Sequence, residues 1–354
     1  MKSNLSYFSG SFIFAIVCMV FAGFYGGPQA MFIVGVLGVL ETSLSFDNAV
    51  VNATILRDWN DYWRKIFLTV GIIIAVFGMR VLFPIVIVQF TTSMSFMDAA
   101  RLAFTDPATY AEKVTGAHDQ IAGFGGAFLM MVFLKFFFDR EKDVHWIKFI
   151  EAPLTKLGRM DMVEALITVA TLFSISKLLP EHSGNLFFMA GLLGVGVYII
   201  VDGLGALLES ESDAPAAEQA ESGNNVAAAV GKQGIFGFLY LEVLDASFSF
   251  DGVIGAFALT NNIIIIALGL GIGAMFVRSF TLFLVDKGTL SEFKYLEHGA
   301  FWAIGALALI MMVGVKVHIN EVFTGGIGLA FVGLAFWSSL RHRKAEQIES
   351  GTNQ

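Results

Sequence analysis

Charge and thiols are what this sequence has least of. Only 15% of its 354 residues are charged, against about 25% in a typical soluble domain. The single cysteine, Cys18, excludes an internal disulfide and any multi-thiolate metal or redox centre. No nucleophile-base constellation and no nucleotide-binding glycine motif stands out, so the sequence does not read as an enzyme and implies no prosthetic group. Nor is there a basic excess for nucleic acid: the formal net charge is -8.

What is present is hydrocarbon. Hydrophobic residues make up 56% of the chain and mean hydropathy is +0.72. Apolar runs of about 20 residues, each long enough to cross a bilayer core of about 30 Å as a helix, recur along most of the length. The 36 Phe and 37 Gly suit packed membrane helices, where Gly allows close approach. Trp59, Trp63, Trp146, Trp302 and Trp337 sit near run ends, as interfacial anchors do. The expected fold is all-α: a polytopic membrane protein with about ten transmembrane helices, near 10-27, 29-53, 66-88, 121-138, 162-180, 186-208, 234-259, 263-285, 300-318 and 321-340. The first apolar run reads as a retained helix rather than a signal peptide. Residues 1-28 then form an N-terminal helix and 29-208 a first half. The acidic stretch 209-233 is a disordered linker, 234-340 a second half and 341-354 a cytoplasmic tail. Arg57, Arg64, Lys65, Lys135, Arg140, Lys142, Lys148, Lys156, Arg159, Arg341, Arg343 and Lys344 fall in alternate loops. By the positive-inside rule both termini lie inside the plasma (inner) membrane, and the long loop 89-120 lies outside.

Two stretches break the apolar pattern: LETSLSFDN at 40-48 and LEVLDASFSFDG at 241-252. Aligned at an offset of 204, Glu41 meets Asp245, Ser43 meets Ser247, Ser45 meets Ser249, Phe46 meets Phe250 and Asp47 meets Asp251. The next helix repeats as well, with Arg80 in GMRVLFPIVIV answering Arg278 in FVRSFTLFLV. A third pair sets AFLMMVFLK, ending at Lys135, against ALIMMVGVK, ending at Lys316, with His118 and His298 upstream. An odd number of spans between the units makes them inverted, the architecture of many secondary transporters, with sites near the bilayer midplane.

At about 100° per residue, Glu41, Ser45 and Asn48 share one helix face while Ser43 and Asp47 lie nearly opposite. Glu242, Asp245 and Ser249 likewise oppose Ser247 and Asp251. A straight helix cannot aim all its acids at one point. Either the helices break, near Ser45 to Asn48 and near Ser249 to Gly252, or two ion sites face opposite sides of each. Glu41, Asp47, Asn48, Glu242, Asp245 and Asp251 offer a mainly oxygen donor set without Cys or His, suited to hard or intermediate divalent cations such as Mg, Ca or Mn. Five carboxylates exceed what one divalent ion neutralises, so Arg80 and Arg278 are expected to compensate charge, or protons or a second ion share the site. The plainer alternative is that these acids only pair with basic residues and fix helix packing. Glu164 and Asp202 also interrupt apolar runs but belong to no repeated pattern.

At Glu41, Asp47-Asn48, Glu242, Asp245 and Asp251 the sequence resembles the TerC family, named for tellurium resistance and including manganese exporters. The likeness reaches most of residues 29 to 318 and departs from the family pattern at Gly252, where a Ser is expected. It implies an all-helical inverted-repeat transporter with the motif acids as metal ligands. The leading expectation is therefore a divalent-cation transporter, a manganese exporter coupled to protons, whose partners are the bilayer and the ion. A membrane scaffold for tellurite or envelope-stress resistance and an exporter of a small organic cation are the rivals.

Overall fold

The computed structural model describes residues 4-352 except 58, 93, 141, 161, 213-222, 289-292, 318 and 320. The side chains of 4, 5, 68, 204-212, 223-233, 250, 251, 321, 322 and 345-352 also lie outside the description. Every described element is helical. In chain order the main helices are α1 (Ser9–Leu44), α2 (Phe46–Leu56), α3 (Asp61–Thr92), α4 (Phe96–Thr105), α5 (Pro107–Gly116), α6 (His118–Phe138) and α7 (Lys148–Leu157). There follow α8 (Val163–Ser176), α9 (Glu181–Ser212), α10 (Gly223–Leu259), α11 (Ile263–Asp286), α12 (Leu296–Gly314) and α13 (Glu321–Thr352).

Among the described residues, seven helical segments are long and apolar enough to cross a membrane. Ten spans were expected, and the difference has three local sources. The run 10-27 and the first part of 29-53 form one helical element, α1, broken inside by Gly26 and by Gly27 at φ 74°, while residues 46-53 belong to α2. Residue 162-180 shortens to α8, whose 14 residues reach only about 21 Å at 1.5 Å per residue. The region 234-259 lies within α10, which is not among the seven. The expected linker 209-233 is helical at both ends, to Ser212 and from Gly223, and its middle lies outside the described residues.

Gly27 turns α1 back on itself. Gly23 faces Met31 and Gly35 faces Met19 across the bend, so the arms 9-25 and 28-44 run antiparallel. Only glycine holds a positive φ of this kind without steric cost. The break in α1 therefore follows from Gly-Gly-Pro at 26-28, with Pro28 restarting the helix at the first turn, where its missing N–H is harmless.

Elsewhere, polar caps mark where helices begin. Asn60 accepts from the Trp63 N–H, Ser95 from Asp98, Asp106 from Thr109, and Asn262 from Ile264 and Ile265, each satisfying amides the helix leaves open. Ser95 and Asp106 organise the predicted outer loop 89-120 into α4 and α5, which bury Ala99, Ala103, Tyr110 and Val114 against Val88 and Ile263.

α6 is the bundle's centre: 78% of its apolar window is buried, against 17% for α1. It packs on α9 through glycines. A Cβ at Gly123 would stand 2.4 Å from the Phe187 carbonyl oxygen, and one at Gly194 2.3 Å from that of Phe124. At the periphery Phe24, Phe32 and Phe90 are largely exposed, as side chains solvated by lipid are.

Replacing Gly27 by Ala forces a side chain into the left-handed region and is expected to cost about 1–2 kcal/mol. Gly10→Ala, where nothing lies within 4 Å, should leave the thermal midpoint of the detergent-solubilised protein unchanged while Gly27→Ala lowers it.

Candidate functional site

The first motif helix ends at Leu44 and a new helix starts at Phe46. Ser45 between them has φ -102° and ψ 19°, off the helical backbone, although its N–H still bonds the Glu41 carbonyl. This answers the geometric difficulty in the sequence. With the chain re-aimed at Ser45, Glu41, Ser45, Asp47 and Asn48 line one cavity of about 40 Å³. α10 contributes Phe248 and Gly252, α12 contributes Ala303 and Leu307, and α13 contributes Thr324, Gly325 and Gly328. The second expected break is absent: α10 stays helical through Ser249 to Gly252 and ends at Leu259.

Glycine admits the carboxylates. A Cβ at Gly328 would lie 2.8 Å from Asp47 Oδ2, and one at Gly252 2.5 Å from Glu41 Oε2. Gly252 is thus where α10 touches the first motif, which gives the departure from the expected Ser a steric meaning.

The acids divide into two groups, each with its arginine. Arg80 sits in a π-helical stretch, Ile74–Leu82, and its Nη2 donates to Glu41 Oε1 at 2.5 Å. Its Nε donates to the Leu270 carbonyl at 3.0 Å, and Nη1 to the Ala75 carbonyl. Arg278 donates from Nη2 to Asp245 Oδ2 and to the Gly71 carbonyl, each at 3.1 Å, and stands 3.7 Å from Glu242 Oε1. Its guanidinium also lies over the Phe67 ring, 3.7 Å from the centroid, a cation–π contact. Asn52 donates to the remaining Asp245 oxygen at 3.1 Å. Both guanidiniums are buried, Arg80 at 5% and Arg278 at 3% exposure.

Asp47 differs from these paired acids. It is buried, and the partner of its carboxylate is the neighbouring Asn48 N–H, which donates to Oδ1 at 3.0 Å. Beside it the Asn48 Oδ1 is buried without a partner. An acid and an orphaned acceptor together favour a bound cation or proton, since an unsatisfied buried oxygen is costly. Glu41, Asp47 and Asn48 are therefore brought together, whereas Glu242 and Asp245 lie apart at Arg278; the side chain of Asp251 lies outside the described residues. Among the described residues no three His, Cys, Asp or Glu side chains are grouped closely enough to hold a metal ion.

Charge makes the same point. Glu41, Asp47, Glu242 and Asp245 carry four negative charges when ionised, and Arg80 and Arg278 return two. One negative charge is left over in each group, and Asp251, whose side chain lies outside the described residues, adds a third when ionised.

The helices that carry the matching sequence stretches run antiparallel at the contacts that follow. Arg80 reaches Leu270 while Arg278 reaches Gly71, so α3 and α11 cross head to tail. Gly125 meets Met311, Gly126 meets Met312 and Gly305 meets Phe133, which does the same for α6 and α12. Between the motif segments, Glu41 meets Gly252 and Asn52 meets Asp245.

Sequence reasoning missed Asn52, Gly71 and the α13 glycines. Asn52 had a legible signal, a fully buried amide four residues beyond Asn48 on the same helix face. Gly71 contributes a backbone carbonyl, which no side-chain pattern announces.

These features define the class, an all-helical membrane protein with buried arginine–carboxylate pairs. Residues 46–346 match the model of a family described as a protein of unknown function, DUF475, and the chain belongs to that family. No curated protein and no solved structure matches it.

Removing Arg80 while Glu41 stays ionised strands a buried charge, which costs about 3–5 kcal/mol. Arg80→Met should therefore lower thermal stability sharply, and adding Glu41→Gln should recover most of the loss. Equal midpoints for the single and double variants would show that the pair is uncoupled.

Proposed function

We propose that the protein is a proton-coupled secondary transporter of a divalent cation, with manganese as the first cargo to test and export from the cell as the direction. The carrying observation is the cavity at the Ser45 break, where Asp47 and the unpartnered Asn48 Oδ1 face a space of about 40 Å³. The carboxylates that the arginines leave uncompensated supply the coupling: a divalent cation and protons can neutralise them in turn. Ser45, Glu41 Oε2 and Asp251 are the further oxygens available as the ion arrives. In this reading metal leaves as protons bind, while Arg80 and Arg278 stay paired with Glu41 and Asp245.

The antiparallel crossing of α3 with α11, of α6 with α12 and of the two motif segments supports two inverted repeats. Such repeats place a site at their interface and rock against each other for alternating access. The likeness to TerC proteins noted from the motif acids agrees with this reading, as does an inner-membrane location with both termini inside. Export has a thermodynamic requirement: moving a divalent ion outward against about 100 mV costs about 4.6 kcal/mol, at about 2.3 per charge. Proton antiport through the same carboxylates meets it.

One observation favours a second reading. Glu41 and Asp245 are each bonded to a buried arginine, the arrangement expected if the acids only fix helices in a membrane scaffold. That reading leaves Asp47 unexplained.

Flux in proteoliposomes separates the two. Asp47→Asn should reduce manganese transport by at least tenfold while retaining the fold, since among the described motif acids Asp47 is the one with no arginine beside it. Unchanged flux in Asp47→Asn, or no manganese flux in the parent, would transfer support to the scaffold.

A further inference from the structure

A second cleft lies away from the motif acids, between α6, α8, α9 and α10, with a volume of about 570 Å³. This is within the size range of small-molecule sites, about 300–1,000 Å³. Tyr198 and Tyr240 line it and meet edge to face, their ring centroids 6.2 Å apart. The charged side chains around them include Lys135, Arg140, Glu164 and Asp202.

These charges are not equally available. Arg140 is pinned to the rim, its Nε donating to the Gly158 carbonyl at 2.8 Å. Lys135 Nζ donates to Asp202 Oδ2 at 3.2 Å, with both side chains substantially exposed. Glu164, in the first turn of α8, has no ion pair or side-chain hydrogen bond among the described residues. The rim at Met162 holds a left-handed backbone, φ 59°, uncommon outside glycine. The group already seated against Asp202 is an alkylammonium on a flexible tether. An exposed ion pair of this kind is weak, so another ammonium ion can displace it.

We propose that this cleft binds a small organic ammonium ion, its charge between Asp202 and Glu164 and its carbon skeleton against Tyr198 and Tyr240, with Lys135 as the built-in competitor. The choice of a cation rests on the free Glu164 and the committed Arg140. The choice of an organic cation over a hydrated metal rests on the aromatic wall, which attracts alkylammonium ions by cation–π contact. The site stands independently of the proposed metal transport.

The test is isothermal titration of the full-length protein in detergent with butylammonium and tetramethylammonium chloride. Saturable binding is expected, strengthened roughly tenfold in Lys135→Met, where the competitor is gone. Glu164→Gln and Tyr240→Leu should each weaken it by about fivefold or more. Asp47→Asn should leave it unchanged, so a failure of the transport proposal is distinguishable from a failure here. Asp202→Asn should abolish binding; if that variant does not fold, Glu164→Gln, at a partly exposed position, decides. Absence of saturable binding in both the parent and Lys135→Met would overturn the proposal. So would equal binding in Glu164→Gln, or displacement by equimolar manganese chloride with no effect of Tyr240→Leu.

Discussion

Two buried guanidiniums hold this structure together. Desolvating an arginine is expensive, and the expense is recovered only when carboxylates and carbonyls surround it. Arg80 takes a carboxylate from its own half and a carbonyl from the other half's α11. Arg278 does the same in reverse, using Asp245 and the carbonyl of Gly71. Each arginine is thus neutralised close by in sequence and solvated by a carbonyl of the opposing helix, and α3 and α11 cannot separate far without exposing an arginine to an apolar interior. The close glycine contacts follow from this requirement. Gly71 brings a carbonyl within reach of Arg278, and a Cβ there would lie 2.9 Å from Glu242 Oε1. Gly273 admits the stem of Glu41. The π-helical stretch is the third adjustment, for it is the segment that carries Arg80. Such one-turn irregularities recur at functional sites.

Once the arginines are satisfied, the electrostatics of the centre are lopsided. Glu41, Glu242 and Asp245 cluster on guanidiniums, and Asp47 does not. The backbone break at Ser45 turns Asp47 towards Gly328 and into the same cavity as Glu41. A continuous helix would have put those two acids on nearly opposite faces. The break thus places an arginine-paired acid and an acid without an arginine side by side within one short motif, the division of labour that the proposed transport requires.

Much of this was legible in the sequence, and the losses have physical reasons. Composition and long apolar runs sufficed for an all-helical membrane protein, because hydrocarbon leaves helices few alternatives. The importance of Glu41, Asp47, Asn48, Arg80 and Arg278 followed from their being ionisable or polar groups in apolar runs. The break at Ser45 was one of two devices that the helical period demanded. The matching break in α10 was not found: Glu242 and Asp245 already share a face, and Arg278 meets both without one. Seven segments rather than ten are long and apolar enough to span, because the two arms either side of Gly26-Gly27-Pro28 make one helical element and α8 stops at Ser176. Asn52 was passed over because it stands outside the duplicated motif, although its partner, Asp245, lies within it.

The central claim is that the paired arginines leave surplus carboxylates, Asp47 among them, that a divalent cation and protons neutralise in turn. Counting protons released per manganese ion bound tests it most directly, by adding metal to weakly buffered purified protein and reading a pH indicator. The account predicts about two protons released per metal near neutral pH, falling in Asp47→Asn. Manganese binding with no proton release, or with the same release in Asp47→Asn, would contradict it.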